Sequence, residues 1–421
     1  MYHQLLIPNI STKNKQRLIV LLFGLMIEYT GLLLILFNQR RLALTIFCTE
    51  DKYPAMVYFE LLFGIAYLVS NFTVLFAAKY KLINKILQYK SQHIIYSATT
   101  LCAFFFMLIL LTPPIFTLRF SLFILLIMVF FFLHAYEQLL SIFCLLNIIR
   151  SKDQYRTFAN IFFAMIGVSI ILAKAIHDAT NYFVDLDLRI FFAFLPLSIL
   201  GVIYIVLSRQ FNLKINPYDV KRLSYIMKSL KDSWKSQVMR LIANLAVGGF
   251  MVEWYANTPE QSYIYYGWST RSSSIMNLAN NLMALLIIYW YGAFITQINK
   301  RILLPIILIA FILFDFVVDL MPSGSYAVIA AFFLMTILFN LIIKAINQLV
   351  HYKIHDLKLN IFSLIWGSGI GTILFYFLFN TLNLIIMHNT QISNSLLSNF
   401  TIGTVVLLSM FAIGKITRIK Q

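Results

Sequence analysis

Apolar runs of membrane-spanning length recur along the chain, separated by short polar breaks. A helix crossing the hydrocarbon core of a bilayer needs roughly 20 mostly apolar residues. Such runs occupy 17–38, 56–78, 94–112, 118–149, 157–178, 188–208, 237–256, 273–295, 302–321, 324–350, 359–387 and 397–414. The pattern predicts an all-α integral membrane protein with twelve transmembrane helices. The fourth and tenth runs are long enough to tilt or to protrude beyond the bilayer. The ninth and tenth are divided by Met321-Pro322-Ser323-Gly324, where Pro and Gly together interrupt a helix.

The polar breaks are unequal. Six runs precede the break at 209–236 and six follow it, which predicts an N-terminal six-helix bundle over 17–208 and a C-terminal one over 237–414. Inside the break, Val220, Leu223, Ile226, Met227, Leu230 and Trp234 recur at helical spacing among Lys and Ser. That spacing predicts an amphipathic helix lying on the membrane surface and joining the bundles.

Composition agrees with the pattern: 61% of residues are hydrophobic, 12% are charged, and the mean hydropathy is +0.83. Soluble chains carry roughly 45–50% apolar and about 25% charged residues, so lipid is the solvent for much of this surface. The net charge of +17 would suit nucleic acid. Its distribution argues otherwise. With the N-terminus inside, 26 of the 33 basic residues fall on cytoplasmic segments, among them Lys13, Arg17, Lys79, Arg150, Arg209, Lys300, Lys353 and Lys415. This is the bias that orients membrane helices, and it predicts both ends in the cytoplasm and no nucleic-acid partner. Cys48, Cys102 and Cys144 show no metal-ligand or disulfide spacing. Met1–Gln16 shows no cleavable signal pattern.

Six helices, a basic central loop and six helices resemble the major facilitator superfamily. Gly292, Thr296, Asn299, Lys300 and Arg301 match the spacing of that family's G-x-x-x-D-x-x-G-R-[KR] loop, with Thr at the acidic position and Asn at the second glycine. After the second run, Ala78-Lys79-Tyr80-Lys81 stands in the same place without Asp or Gly. Three shorter stretches resemble the metabolite:proton symporter branch, whose members include proline and betaine transporters. They are Gly24 to Tyr29 around Glu28, Ala135-Tyr136-Glu137, and Asp187 to Pro196. The resemblance implies a monomeric carrier of the bacterial inner membrane that takes a small polar solute, with substrate near the midplane between the two halves. It implies a gating role for the 292–301 loop.

Charge within a bilayer costs roughly 2.5–3.5 kcal/mol on insertion scales, so depth selects the candidates. Glu28 lies near the middle of the first run and could bind a proton or a cationic substrate group. The competing reading is a structural Glu bonded to a neighbouring helix. His134 and Glu137 share a face of the fourth run, where a Glu–His pair could relay a proton or simply brace the helix. Lys344, one turn after Asn340, could bind a carboxylate or snorkel to the interface. Asn244, Asn280 and Asn281 suit either cavity lining or interhelical bonding. Tyr29 and Trp254 could wall a quaternary ammonium, although 39 Phe and 23 Tyr place an aromatic near any point. Asp315 and Asp319 suggest packing, and Glu60 and Glu253 suggest solvated outer ends. Gly367, Gly369 and Gly371 suggest close helix contact rather than phosphate binding.

A nucleotide-binding motif is absent from the sequence, so an ion or solute gradient must supply the energy. The expectation is a secondary transporter, with protons as the coupling ion and no cofactor or metal. Other classes fit the same runs: a lipid-linked sugar flippase, an enzyme of envelope polysaccharide synthesis, or a transporter-like protein without transport.

Overall fold

The computed structural model describes residues 10–79, 112–183, 189–211 and 357–367, with isolated positions at 225, 228, 282, 306, 309, 310, 313, 330, 334, 337, 381 and 385. All regular structure among them is helical. In chain order the helices are α1 (Thr12–Phe37), α2 (Gln39–Phe47), α3 (Lys52–Lys79), α4 (Phe116–Ile148), α5 (Lys152–Phe183), α6 (Arg189–Gln210) and α7 (Leu357–Phe362). Five of these (α1, α3, α4, α5 and α6) are long and apolar enough to cross a membrane, and the protein is a multi-pass membrane protein. The run at 94–112 and most of the C-terminal runs lie outside the described residues.

Each boundary has a local cause. Ser11 caps α1, its Oγ accepting from the Asn14 amide at 3.4 Å. Asn38 ends that helix and starts the next: its Nδ2 donates to the Leu34 carbonyl at 2.8 Å, and its own carbonyl accepts from the Leu42 amide at 2.9 Å. Between the first two apolar runs, 17–38 and 56–78, the chain does not simply loop: α2 fills half of the stretch 39–55. Cys48 terminates α2 with its backbone in the left-handed region, a common way for a helix to end. Between α4 and α5 the chain turns through a capping box. Gln154 Oε1 accepts from the Arg150 amide at 2.8 Å and from the Ser151 amide at 3.3 Å. In return, Ser151 Oγ accepts from the Gln154 amide at 3.2 Å.

Helix α1 packs most extensively against α5 and α6 and also touches α4, while α3 packs on α4 and α2. Close approach of α6 to α1 depends on two glycines seven residues apart. The Tyr204 ring occupies the space a side chain at Gly24 would fill, and Leu197 Cδ2 lies 2.8 Å from a Cβ built at Gly31. Toward the α2 end, Phe47 meets Phe116 and Phe120, and Phe59 stacks on Phe63 and Phe123. Arg119 bridges this region, donating to the Thr45 carbonyl at 3.0 Å and the Thr112 carbonyl at 2.9 Å.

The chain forms two compact units. One comprises Met1–Trp234 with Asp356–Trp366, the other Lys235–His355 with Gly367–Gln421. The segment 356–366 therefore joins the unit built from the start of the chain. Its helix α7 continues into a π-helical turn at Ser363–Gly367 and packs on α4 and α5. Tyr155 Oη donates to the Asn360 carbonyl at 3.3 Å, and Trp366 meets Phe72 edge-on. Lys358 sits 4.9 Å above the Tyr225 ring.

Candidate functional site

Helix α1 is apolar around most of its circumference, which marks a helix enclosed by others. Fourteen of its residues are buried, Glu28 among them at 2% exposure. A carboxylate in such a setting needs a partner, because its desolvation is not otherwise compensated. His134 of α4 supplies it: His134 Nδ1 lies 2.7 Å from Glu28 Oε1, with side-chain exposures of 0% and 3%. Two bare acceptors would repel at that separation, so the contact requires a proton on one of the two groups. Neither atom makes an aligned hydrogen bond, so the pair is held by close electrostatic contact rather than by a straight bond.

The surroundings of the pair are part aromatic and part polar. Tyr67 of α3 lies 5.8 Å from the imidazole, and Phe130 lies nearly parallel to it at 6.2 Å. Gln138, one turn along α4, places Nε2 3.2 Å from His134 Nε2. The Tyr67 hydroxyl lies beside the side chains of Asn71 and Gln138 and close to Glu28 and Tyr29. Asn71 Nδ2 donates to the Tyr67 carbonyl at 2.9 Å. Three oxygens of this cluster, Tyr67 Oη, Asn71 Oδ1 and Gln138 Oε1, are buried without an aligned hydrogen bond. Hydroxyls fix the backbone nearby. Thr30 donates to the Met26 carbonyl at 2.7 Å, and Ser169 of α5 lies 3.2 Å from the same oxygen.

The structure thus brings Glu28 and His134 together, where the sequence spacing had paired His134 with Glu137. Glu137 is buried at 5% exposure on the same helix. Tyr29 is buried and packs edge-on against Phe162, with ring centroids 6.0 Å apart. Glu60, read from sequence as a solvated outer residue, is fully buried. Asn244, Asn280, Asn340 and Lys344 lie outside the described residues, as do Gly292, Thr296, Asn299, Lys300 and Arg301. Sequence reasoning missed Tyr67, Asn71 and Gln138. Of these only Gln138 carried a signal, its i,i+4 spacing from His134. A second charged group occurs on α5, where Lys174 and Asp178 pair at 3.2 Å and Lys174 lies 5.7 Å over the Phe37 ring. Among the described residues, no group of three or more His, Cys, Asp or Glu side chains could hold a metal ion.

Neither a family model nor a curated protein matches the chain. Solved structures do. A D-xylose–proton symporter is similar over 95% of this chain and 96% of its own, at 10% identity and a TM-score of 0.64. A bacterial homologue of the iron transporter ferroportin, in an outward-facing state, is similar over 95% and 99%, at 13% identity and a TM-score of 0.62. A POT family transporter in complex with a peptide conjugate is similar over 98% and 99%, at 13% identity and a TM-score of 0.58. At such identities the likeness establishes the fold alone. It is a fold shared by transporters of different solutes, and none of these three is a proline or betaine carrier.

Proposed function

We propose that the chain is a secondary active transporter, moving a small polar organic solute of the betaine, amino acid or organic acid class by alternating access, with protons as the coupling ion. The observation that carries this reading is the buried Glu28–His134 pair within a transporter-type fold. In this reading twelve helices cross the inner membrane with both ends in the cytoplasm, and the monomer is the working unit.

The charge states of the pair explain why it suits this task. With one proton between Glu28 and His134, the site carries a net charge of −1. A second proton, taken up at His134 Nε2, makes it an imidazolium–carboxylate pair of no net charge. Only the neutral form suits a dry interior, where an uncompensated ion costs several kcal/mol. The singly protonated form needs water or a cationic substrate group beside it. Protonation state and access to water are thereby linked, which is the requirement for coupled transport.

The test is uptake by proteoliposomes under an imposed proton gradient, across a panel of betaines, amino acids and organic acids. Wild type should accumulate at least one of them. Glu28→Gln should abolish gradient-driven accumulation while retaining downhill exchange of the same solute. Full gradient-driven accumulation by Glu28→Gln would remove the proton role from this site.

A further inference from the structure

We infer that Gln138 is a positioning residue that ties the proton count of His134 to the orientation of its own side-chain amide. This rests on the proton-coupled reading above and deepens it.

A glutamine amide has two faces of opposite character, N–H₂ donating and C=O accepting. The neutral imidazole is equally two-sided, with one nitrogen donating and the other accepting. Gln138 Nε2 lies 3.2 Å from His134 Nε2, so the amide donates and Nε2 accepts. That leaves the ring proton on Nδ1, on the side of Glu28 at 2.7 Å. The two contacts therefore agree on one tautomer. When a second proton arrives at Nε2, two N–H groups face each other across the same short gap, and the arrangement fails. A half-turn about the terminal torsion of Gln138 replaces the amide nitrogen with Oε1, which then accepts from the new Nε2–H.

Two observations favour such a turn. Gln138 Oε1 is buried without an aligned hydrogen bond, so rotation breaks nothing at that end. The Tyr67 hydroxyl lies beside Gln138 and can either accept or donate, so it suits the amide in both orientations. The inference does not depend on which orientation is drawn. Either way a single amide face opposes Nε2, and amide orientation and ring protonation are locked together. Glu28 and Tyr29 from α1 lie close to Tyr67 from α3, and two further buried carboxyls stand on the same elements, Glu60 on α3 and Glu137 on α4. Other elements that touch α4 carry Arg41 on α2 and Lys358 on α7, the latter held over Tyr225.

The experiment is nitrogen-15 NMR of histidine-labelled full-length protein in detergent, with His134 assigned by its loss in His134→Gln. In the wild type the neutral form should be the Nδ1–H tautomer, and pH titration should pass through a single protonation. Gln138→Leu removes the donor and should lower the Nδ1–H preference about tenfold. Gln138→Glu opposes Nε2 with a permanent acceptor and should move the titration midpoint up by at least one pH unit, a tenfold change in proton affinity. Gln138→Asn, shorter by one methylene, guards against misfolding of either variant and should shift the tautomer ratio in the same direction as Leu. Unchanged tautomer and midpoint in all three variants would overturn the inference. So would a wild-type His134 that keeps one form from pH 4 to 9, although coupling through Glu28 alone would still be judged by the uptake experiment.

Discussion

Helices α1 and α6 pack against each other, have closely similar hydropathy and occupy opposite environments. The most apolar stretch of α1 is 72% buried, whereas that of α6 is 33% buried. The leucines of α1, such as Leu32 and Leu34, are fully enclosed, while Ile199, Val202, Ile203 and Val206 of α6 lie exposed along the helix. Hydropathy measures whether a segment prefers lipid to water, and that preference is the same for a helix surrounded by lipid and one surrounded by other apolar helices. The distinguishing feature is a charge. Lipid would not tolerate Glu28, so the face of α1 that carries it at mid-depth must be covered by protein. No charged residue interrupts α6 between Arg189 and Arg209.

The largest effect on this contrast should come from cutting the ion pair. His134→Leu leaves Glu28 buried without its partner, and breaking a buried pair in this way costs about 3–5 kcal/mol. Unfolding in detergent should show that loss, and the double variant Glu28→Gln/His134→Leu should recover part of it. A single variant as stable as wild type would mean that water reaches Glu28, and that α1 is not enclosed at this depth.

A smaller effect is expected where α1 and α6 meet. Replacing glycine by alanine inside a helix gains up to about 1 kcal/mol from propensity. At Gly24 the new methyl would enter the Tyr204 ring. Overpacking of this kind costs about 1–3 kcal/mol, so Gly24→Ala should be net destabilising. At Gly31 the obstacle is the end of the Leu197 side chain, 2.8 Å away, which can rotate. Gly31→Ala should therefore be near neutral. Equal losses at the two positions would show that the whole interface is rigid, not only the part under Tyr204.

These contrasts also mark how far the sequence could be read. The helices α1, α3, α4, α5 and α6 follow from apolar runs, because membrane length is written locally. Glu28 followed from depth for the same reason. Its partner did not follow, since α1 and α4 meet through tertiary packing that no spacing within one helix reveals. Local spacing offered Glu137 to His134, and the structure supplies Glu28 from another helix instead. Glu60 misled in a related way: its place near a helix end suggested solvent, but it is fully buried. Helix α2 was hidden because Gln39-Arg40-Arg41 looks like a polar loop, and only Asn38, bonded both backward and forward, restarts the helix. The placement of 356–366 with the first unit was invisible for the most general reason. Chain order says nothing about which unit a segment packs into.

The smallest expected effect bears most directly on what surrounds α6. In lipid, apolar side chains gain little from leaving their surroundings, because the tails are as apolar as leucine, and stability comes from packing. Val202 is 55% exposed on the outer stripe of α6, whereas Leu32 of α1 is 0% exposed. Truncating Val202 to alanine trades contacts with mobile lipid for contacts with mobile lipid, and it should change unfolding stability by less than about 0.5 kcal/mol. Leu32→Ala opens a cavity among packed helices, where comparable truncations cost about 2–5 kcal/mol. Detergent unfolding of both variants side by side measures the ratio directly. If Val202→Ala cost more than about 1 kcal/mol, well above the usual range for surface truncations, a helix rather than lipid would have to cover the stripe. Helix α6 would then be as enclosed as α1, and its lack of a buried charge would no longer follow from its position.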